Sequence, residues 1–159
     1  MRKLFVVAAL GLAACAPDPM IGSYSFTITG TETQTAPTSG SSTPSGTGTL
    51  AITAGKTDAY LVTVGHSDIS SCTLKGTKKA QQQDMKFELL PNQPCILKNG
   101  GTVANAVITS GTVSQTITQV SSQETRRDVS LAISYTWSYT ALGFNFVGTG
   151  NRTYAGPEM

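Results

Sequence analysis

The segment from Val129 to Thr140 alternates without a break between large apolar residues and small or polar ones. A helix buries a face that recurs every three to four residues, whereas a strand places alternate residues on opposite faces. The segment therefore predicts a β-strand with one face in a core and the other toward solvent. The six residues on the predicted buried face are Val129, Leu131, Ile133, Tyr135, Trp137 and Tyr139.

Shorter segments elsewhere in the chain repeat this alternation. Aromatic and aliphatic residues alternate with serine and threonine from Tyr24 to Ile28, and the same period recurs from Met85 to Leu89. Glycine, proline and asparagine between the segments are typical of turns. No convincing amphipathic helix follows the first 21 residues. Further strands are predicted over 49–53, 60–64, 69–74, 103–109 and 112–120.

Eight to ten strands joined mostly by short turns predict an all-β fold, an antiparallel up-and-down barrel with a two-sheet β-sandwich as the alternative. Gly22-Ser23-Tyr24 opens the first strand, a long loop follows that strand, and the last strand carries Gly148 and Gly150. In this pattern the chain resembles lipocalin-like β-barrels. We expect the two glycines either to leave room for a bulky neighbour or to bend the strand.

The segment Gln34 to Gly48 consists almost entirely of threonine, serine, glycine, proline and alanine. Such a composition has little apolar surface to bury, so it predicts a disordered internal loop. The loop is either a tolerated surface insertion or a mobile lid over one end of the fold. Around it we expect a single antiparallel β domain over residues 22–155.

The N-terminus has the features of an export signal. Arg2 and Lys3 form a positive start, and an apolar run of nine residues follows from Leu4 to Leu12. A helix that spans a bilayer needs about 20 residues, so this run is too short to be a transmembrane anchor. A plain secretory signal with a cleavage site at Ala14-Cys15-Ala16 remains an alternative.

Leu12-Ala13-Ala14-Cys15 resembles the lipobox of bacterial lipoproteins, Leu-small-small-Cys, at every position. The resemblance implies a signal peptide over residues 1–14, cleavage before Cys15 and a lipid, such as palmitate, on that cysteine. Residues 15–21 would then be a short lipidated tether. The resemblance also implies an exported protein anchored to the cell envelope, and Ala16 after the cysteine favours the outer membrane.

The charge of the mature chain excludes one class of partner. Two of the 11 basic residues lie in the signal, so nine basic residues balance nine acidic ones. A neutral chain has no basic field that would attract nucleic acid. The expected partners are therefore the membrane, through the lipid on Cys15, and a small apolar ligand or another envelope protein.

Cys72 and Cys95 remain once Cys15 carries a lipid. An exported chain enters an oxidising compartment, where two such thiols usually form a disulfide. A metal site needs further ligands, and a redox pair needs the C-x-x-C spacing, which is absent here. We therefore expect a Cys72–Cys95 disulfide.

No pattern of catalytic residues stands out, and we expect neither an enzyme nor a bound metal or cofactor. The only histidine, His66, lies next to Ser67 and Asp68 in a predicted turn, where consecutive residues do not form a catalytic triad. There is no phosphate-binding loop, dinucleotide fingerprint or H-E-x-x-H motif.

A row of aromatic residues near the C-terminus is the candidate binding site. These side chains either line an apolar ligand cavity or fill the core, and an eight-stranded barrel is near the size at which both are feasible. The candidate lining residues are Tyr135, Trp137, Tyr139, Phe144 and Phe146. The first function we expect is thus a non-enzymatic lipoprotein that binds a ligand or partner, and the second is a structural or surface-display lipoprotein with a filled core.

Overall fold

The computed structural model describes residues 18–56, 59–66, 69–77, 85–99 and 102–159. These residues form eleven strands and no helix. This part of the chain therefore contains no helix that could cross a membrane. The signal peptide and Cys15 lie outside the described residues. The strands are β1 (Gly22–Ala36), β2 (Gly40–Ser42), β3 (Gly46–Ala54), β4 (Ala59–Gly65), β5 (Ile69–Ser71), β6 (Thr73–Thr77), β7 (Lys86–Leu89), β8 (Gln93–Asn99), β9 (Thr102–Gln119), β10 (Thr125–Ala141) and β11 (Phe144–Pro157).

The strands belong to one large sheet that nearly forms a ring. Neighbours follow the order β10-β11-β1-β3-β4-β6-β7-β9-β8-β5, with β2 paired to β1 and a further pairing between β9 and β10. Every pairing is antiparallel. The predicted all-β antiparallel architecture is therefore confirmed.

Alternate residues of the strands form a single hydrophobic core. Every second residue is buried from Tyr24 to Ile28 in β1 and from Val129 to Tyr135 in β10, as the alternation predicts. Trp137 and Tyr139 continue the same face of β10 but are only half-buried. The largest fully buried side chains are Tyr24, Tyr60, Tyr154, Phe87 and Met20.

Gly148 of β11 is paired with Trp137 of β10. A Cβ atom at Gly148 would lie 2.4 Å from Trp137 Cζ2, far inside van der Waals contact. Because the indole covers the glycine so closely, the first of the two interpretations of this glycine is confirmed: it leaves room for a bulky neighbour.

One end of the sheet, here called the closed end, is covered by the residues that precede β1. Met20 is fully buried, and the hydroxyl of Tyr60 donates a hydrogen bond of 2.6 Å to Asp18 Oδ2. Residues 15–21 were expected to be a tether. The structure differs for residues 18–21, because the burial of Met20 and this hydrogen bond hold them against the domain.

The C-terminal residues also belong to the closed end. Strand β11 continues to Pro157, beyond the expected domain boundary at residue 155. The backbone N–H of Met159 donates to the carbonyl of Ser23 (2.9 Å), and Glu158 forms an ion pair with Arg127. The domain therefore includes residues 156–159.

At the other end, here called the open end, the long strands β1 and β9 pair with different neighbours than they do near the closed end. Strand β1 pairs with β3 over Gly22–Ile28 and with β2 over Glu32–Gln34. Strand β9 pairs with β8 over 102–108 and with β7 over 112–114. The short strands β2 and β8 therefore flank the sheet at the open end.

The structure corrects the prediction of a disordered loop over 34–48. Strand β1 continues to Ala36, β2 covers Gly40–Ser42, and β3 already begins at Gly46. Few of these residues are buried, so apolar packing does not order them. Their backbones instead pair within the sheet, β1 with β11 and β2 with β1. The prediction from composition missed this backbone pairing, because backbone hydrogen bonds do not depend on apolar side chains.

The predicted disulfide is confirmed. Cys72 and Cys95 are bonded, their Cα atoms are 4.7 Å apart, and both residues are buried. Cys72 lies between β5 and β6, and Cys95 lies in β8. The bond therefore attaches the flanking strand β8 to the strands that follow β4.

Candidate ligand-binding site

The open end of the sheet contains a cavity of about 330 Å³. Its wall is formed by β2 and residues 38–39 on one side, by the adjoining ends of β8 and β9 on another, and by the inner faces of β1, β10 and β11. Pockets for small molecules have volumes of about 300–1,000 Å³, so this cavity is at the lower end of that range. Its main side chains are Glu32, Gln34, Lys98, Trp137, Tyr139 and Arg152.

Two stacked aromatic rings form the apolar part of the wall. The rings of Trp137 and Tyr139 lie 5.9 Å apart and are inclined by 16°. They are two residues apart on β10, so their side chains leave the strand on the same face. Behind them the ring of Phe146, the cross-strand partner of Tyr139, stacks on Tyr139 at 4.7 Å. The stack therefore presents Trp137 and Tyr139 to the cavity.

The structure brings only part of the expected aromatic row to the cavity. Tyr135 is buried in the core, Phe146 supports Tyr139 from behind, and Phe144 is 58% exposed beside the turn between β10 and β11. None of these three side chains lines the cavity. The row is divided because the alternation fixes which face a residue occupies, but not how far along the strand the core extends.

A buried ion pair lies at the inner side of the cavity. The guanidinium of Arg152 donates to Glu32 Oε1 through Nε (3.0 Å) and through Nη2, and the hydroxyl of Tyr135 donates to the same oxygen. The Arg152 and Glu32 side chains are 5% and 12% exposed. Burial and the hydrogen bond to Glu32 raise the pKa of Tyr135 well above its ordinary value. Tyr135 is therefore a permanent donor in this network at ordinary pH.

Three polar atoms near the ion pair have no hydrogen-bond partner among the described residues: Arg152 Nη1, Trp137 Nε1 and the Tyr154 hydroxyl. Tyr154 lies close to the guanidinium without reaching hydrogen-bond geometry, and burial raises the pKa of its hydroxyl. A buried polar group without a partner costs about 1–3 kcal/mol, so such atoms are rare in folded proteins. Two of these three atoms belong to residues that line the cavity.

Sequence analysis missed Glu32 and Arg152. Both occupy inward positions of their strands: Glu32 follows Tyr24, Phe26 and Ile28 at even spacing, and Arg152 precedes Tyr154 by two residues. A charged residue at an apolar position of an alternating strand is unusual. Two such residues of opposite charge, on strands β1 and β11, are the signal that could have identified this pair.

The described part of the chain contains no candidate metal site. No three histidine, cysteine, aspartate or glutamate side chains among the described residues are close enough to hold a metal ion. The ring of His66 lies 6.2 Å from the ring of Phe26. Its sequence neighbours Ser67 and Asp68 lie outside the described residues.

Comparison of this chain with protein-family models, with curated proteins and with solved structures finds no match.

Proposed function

We propose that this protein is a non-enzymatic lipoprotein of the bacterial cell envelope that binds a small ligand in the cavity at its open end. The observation that carries the proposal is the cavity of about 330 Å³ with Trp137 and Tyr139 stacked along its wall. Aromatic side chains offer a large apolar contact area at a binding site, and a few polar groups then fix the ligand's orientation.

The composition of the wall refines the expected ligand. A purely apolar molecule would contact Trp137 and Tyr139 favourably, but it would leave Lys98 and Arg152 Nη1 without partners. Desolvating polar groups without new hydrogen bonds opposes binding. The proposed ligand therefore has one apolar face and at least one polar group.

For the fold we propose a barrel rather than a two-sheet sandwich. The pairing of β9 with β10, in addition to the pairing of β11 with β1, supports this choice, because it links strands that a sandwich would leave as separate edges. The barrel interior is filled by Tyr60, Phe87 and Tyr154, so a ligand binds at the open end rather than between the two ends.

The sequence around Cys15 supports the envelope location, and the disulfide is compatible with it. The segment Leu12-Ala13-Ala14-Cys15 fits the lipobox, and disulfides such as Cys72–Cys95 persist in oxidising compartments. Metabolic labelling with a fatty-acid probe tests the anchor. We expect the parent protein to take up label and the Cys15→Ser variant to take up none. Label in the variant would contradict lipidation at Cys15.

The ligand-binding proposal is tested through the single tryptophan of the chain, Trp137. The oxidised protein is isolated from its native envelope, and small molecules that co-purify with it are identified by mass spectrometry. We expect the recovered molecule to change the fluorescence of Trp137 and to be lost in the Trp137→Ala variant. Thr136→Ala, on the opposite face of β10, is the matched control and should retain the molecule.

The alternative is a structural or surface-display lipoprotein without a ligand. The filled interior of the sheet is the observation that favours it, since buried aromatic residues occupy the space between the strands. Under this alternative no small molecule co-purifies, and Trp137→Ala changes stability alone. That result would refute ligand binding at the open end.

A further inference from the structure

Two hydrogen-bond donors beside the cavity have no acceptor within the described part of the protein. Arg152 Nη1 and Trp137 Nε1 are donors that have no acceptor among the described residues. Both belong to side chains that line the cavity, and Arg152 is 95% buried, given its exposure of 5%. An indole N–H and a guanidinium N–H can only donate hydrogen bonds. An acceptor on a ligand would satisfy both atoms.

The charged side chains of the wall lead to the same conclusion. Three charged side chains line the cavity: Glu32, Lys98 and Arg152. Glu32 Oε1 already accepts hydrogen bonds from Arg152 and from Tyr135. Lys98 forms no ion pair with any described residue and is exposed at the rim. Among the described residues, the cavity thus has two donors without an acceptor and one positive charge without an ion-pair partner.

We propose that the ligand of this cavity is a small carboxylate whose ring stacks on Trp137 and Tyr139 and whose carboxylate accepts hydrogen bonds from Arg152, Trp137 and Lys98. This inference rests on the proposed ligand-binding function and names the class of ligand. A carboxylate only accepts hydrogen bonds, and bonds from cationic donors to it are about twice as strong as neutral ones. A cationic ligand would face Lys98, and the charge of Glu32 is already balanced by Arg152.

Binding requires a small rearrangement of the wall. Arg152 Nη1 and Trp137 Nε1 are both covered by neighbouring atoms. A ligand oxygen reaches them only after the side chains at the rim shift. The segment most able to shift is β2 with residues 38–39, because it is exposed and holds few buried contacts.

The class of ligand is tested on the intact oxidised protein with three probes that share one ring: benzoate, benzyl alcohol and benzylammonium. Affinities are measured by calorimetry. Trp137 is the only tryptophan, so one indole N–H resonance reports on its hydrogen bonding in nitrogen-15-labelled protein. We expect benzoate to bind about tenfold tighter than benzyl alcohol, as one charge-assisted hydrogen bond implies. We also expect benzoate to shift the indole resonance downfield and benzylammonium to bind weakest.

Two variants distinguish the contribution of the hydrogen-bond donors from that of the aromatic ring. Trp137→Phe keeps an aromatic ring and removes Nε1, and Lys98→Gln removes the charge at the rim. Each should reduce the advantage of benzoate over benzyl alcohol, because the alcohol carries no negative charge for these donors to bind. Thr136→Ala, which faces away from the cavity, should change neither affinity.

The outcomes distinguish the two proposals. If benzyl alcohol or benzylammonium binds as tightly as benzoate, the proposal of a carboxylate ligand is wrong. The proposal that the cavity binds a ligand is then unaffected. The same conclusion follows if the advantage of benzoate survives unchanged in both variants. If none of the three probes shifts the indole resonance, the ligand-binding function itself fails.

Discussion

The ring of Tyr135 lies directly over Gly150, its partner across strands β10 and β11, so that a Cβ atom at position 150 would come within 2.4 Å of Tyr135 Cζ. Tyr135 is buried, and its hydroxyl is held by Glu32, so the ring is restrained from moving aside. The absence of a side chain at Gly150 is therefore what allows the tyrosine to lie flat against the strand.

Gly150→Ala should lower the free energy of unfolding by about 1–3 kcal/mol, the usual cost of an extra methyl group in a tightly packed core. Urea denaturation measures the change. Gly40→Ala is the matched control, because a Cβ atom at Gly40 would meet no atom within 4 Å and should leave stability nearly unchanged. Equal effects of the two substitutions would show that the contact with Tyr135 does not constrain position 150.

The ion pair of Glu32 and Arg152 should behave as a coupled unit. Glu32→Gln leaves the guanidinium buried without its counter-charge, and removing one partner of a buried pair typically costs about 3–5 kcal/mol. Arg152→Met should be comparably destabilising, whereas the double variant should lose clearly less than the sum of the two. A double-mutant cycle by chemical denaturation measures the coupling. Additive losses would mean that the two charges act independently.

Three of the four buried tyrosines, Tyr24, Tyr135 and Tyr154, predict a loss of stability at alkaline pH. Burial raises the pKa of each above its ordinary value near 10. Above that pH the unfolded chain releases protons that the folded state retains, so the free energy of unfolding falls as pH rises. The contribution is complete below about pH 10 and is lost above it.

Denaturation curves from pH 7 to the alkaline range measure this loss. In Tyr135→Phe, one of the three groups no longer titrates, so its stability should decline less steeply above about pH 10. A decline of equal slope in the parent and in this variant would contradict a raised pKa at Tyr135.

The bond between Cys72 and Cys95 closes a loop with a sequence separation of 23 residues. In the chain-entropy model its removal costs about 3 kcal/mol. The double variant Cys72→Ser/Cys95→Ser should therefore unfold at a lower urea concentration than the parent. A reducing agent should shift the parent toward the double variant and leave the variant itself unaffected. A shift of both proteins by the same amount would point to another cause.

The strands could be predicted from sequence wherever burial imposes a period of two. Tyr24 to Ile28 and Val129 to Tyr135 cross the core, and each buried residue there is two positions from the next. Where strands leave the core this signal vanishes. Strand β2 and the second half of β1 are rich in threonine and serine and contain no large apolar residue, so composition suggested a disordered loop instead.

The binding site was only partly predictable, for a different reason. Trp137 and Tyr139 carry a local signal, because aromatic residues in an alternating strand are conspicuous. Glu32 and Arg152 are 120 positions apart in the sequence, and their pairing depends on the register between β1 and β11. A single sequence contains no direct information on which distant strands become neighbours.

If the protein is anchored as proposed, the position of residues 18–21 at the closed end would set its orientation on the membrane. Under the proposed lipidation of Cys15, two residues lie between the lipidated cysteine and Asp18, a span of about 11 Å at full extension. From Gly22 to Glu32, β1 rises by about 33 Å toward the opposite end, since a strand advances about 3.3 Å per residue. The cavity would therefore face away from the bilayer, toward solutes in the surrounding water rather than lipids in the membrane below it.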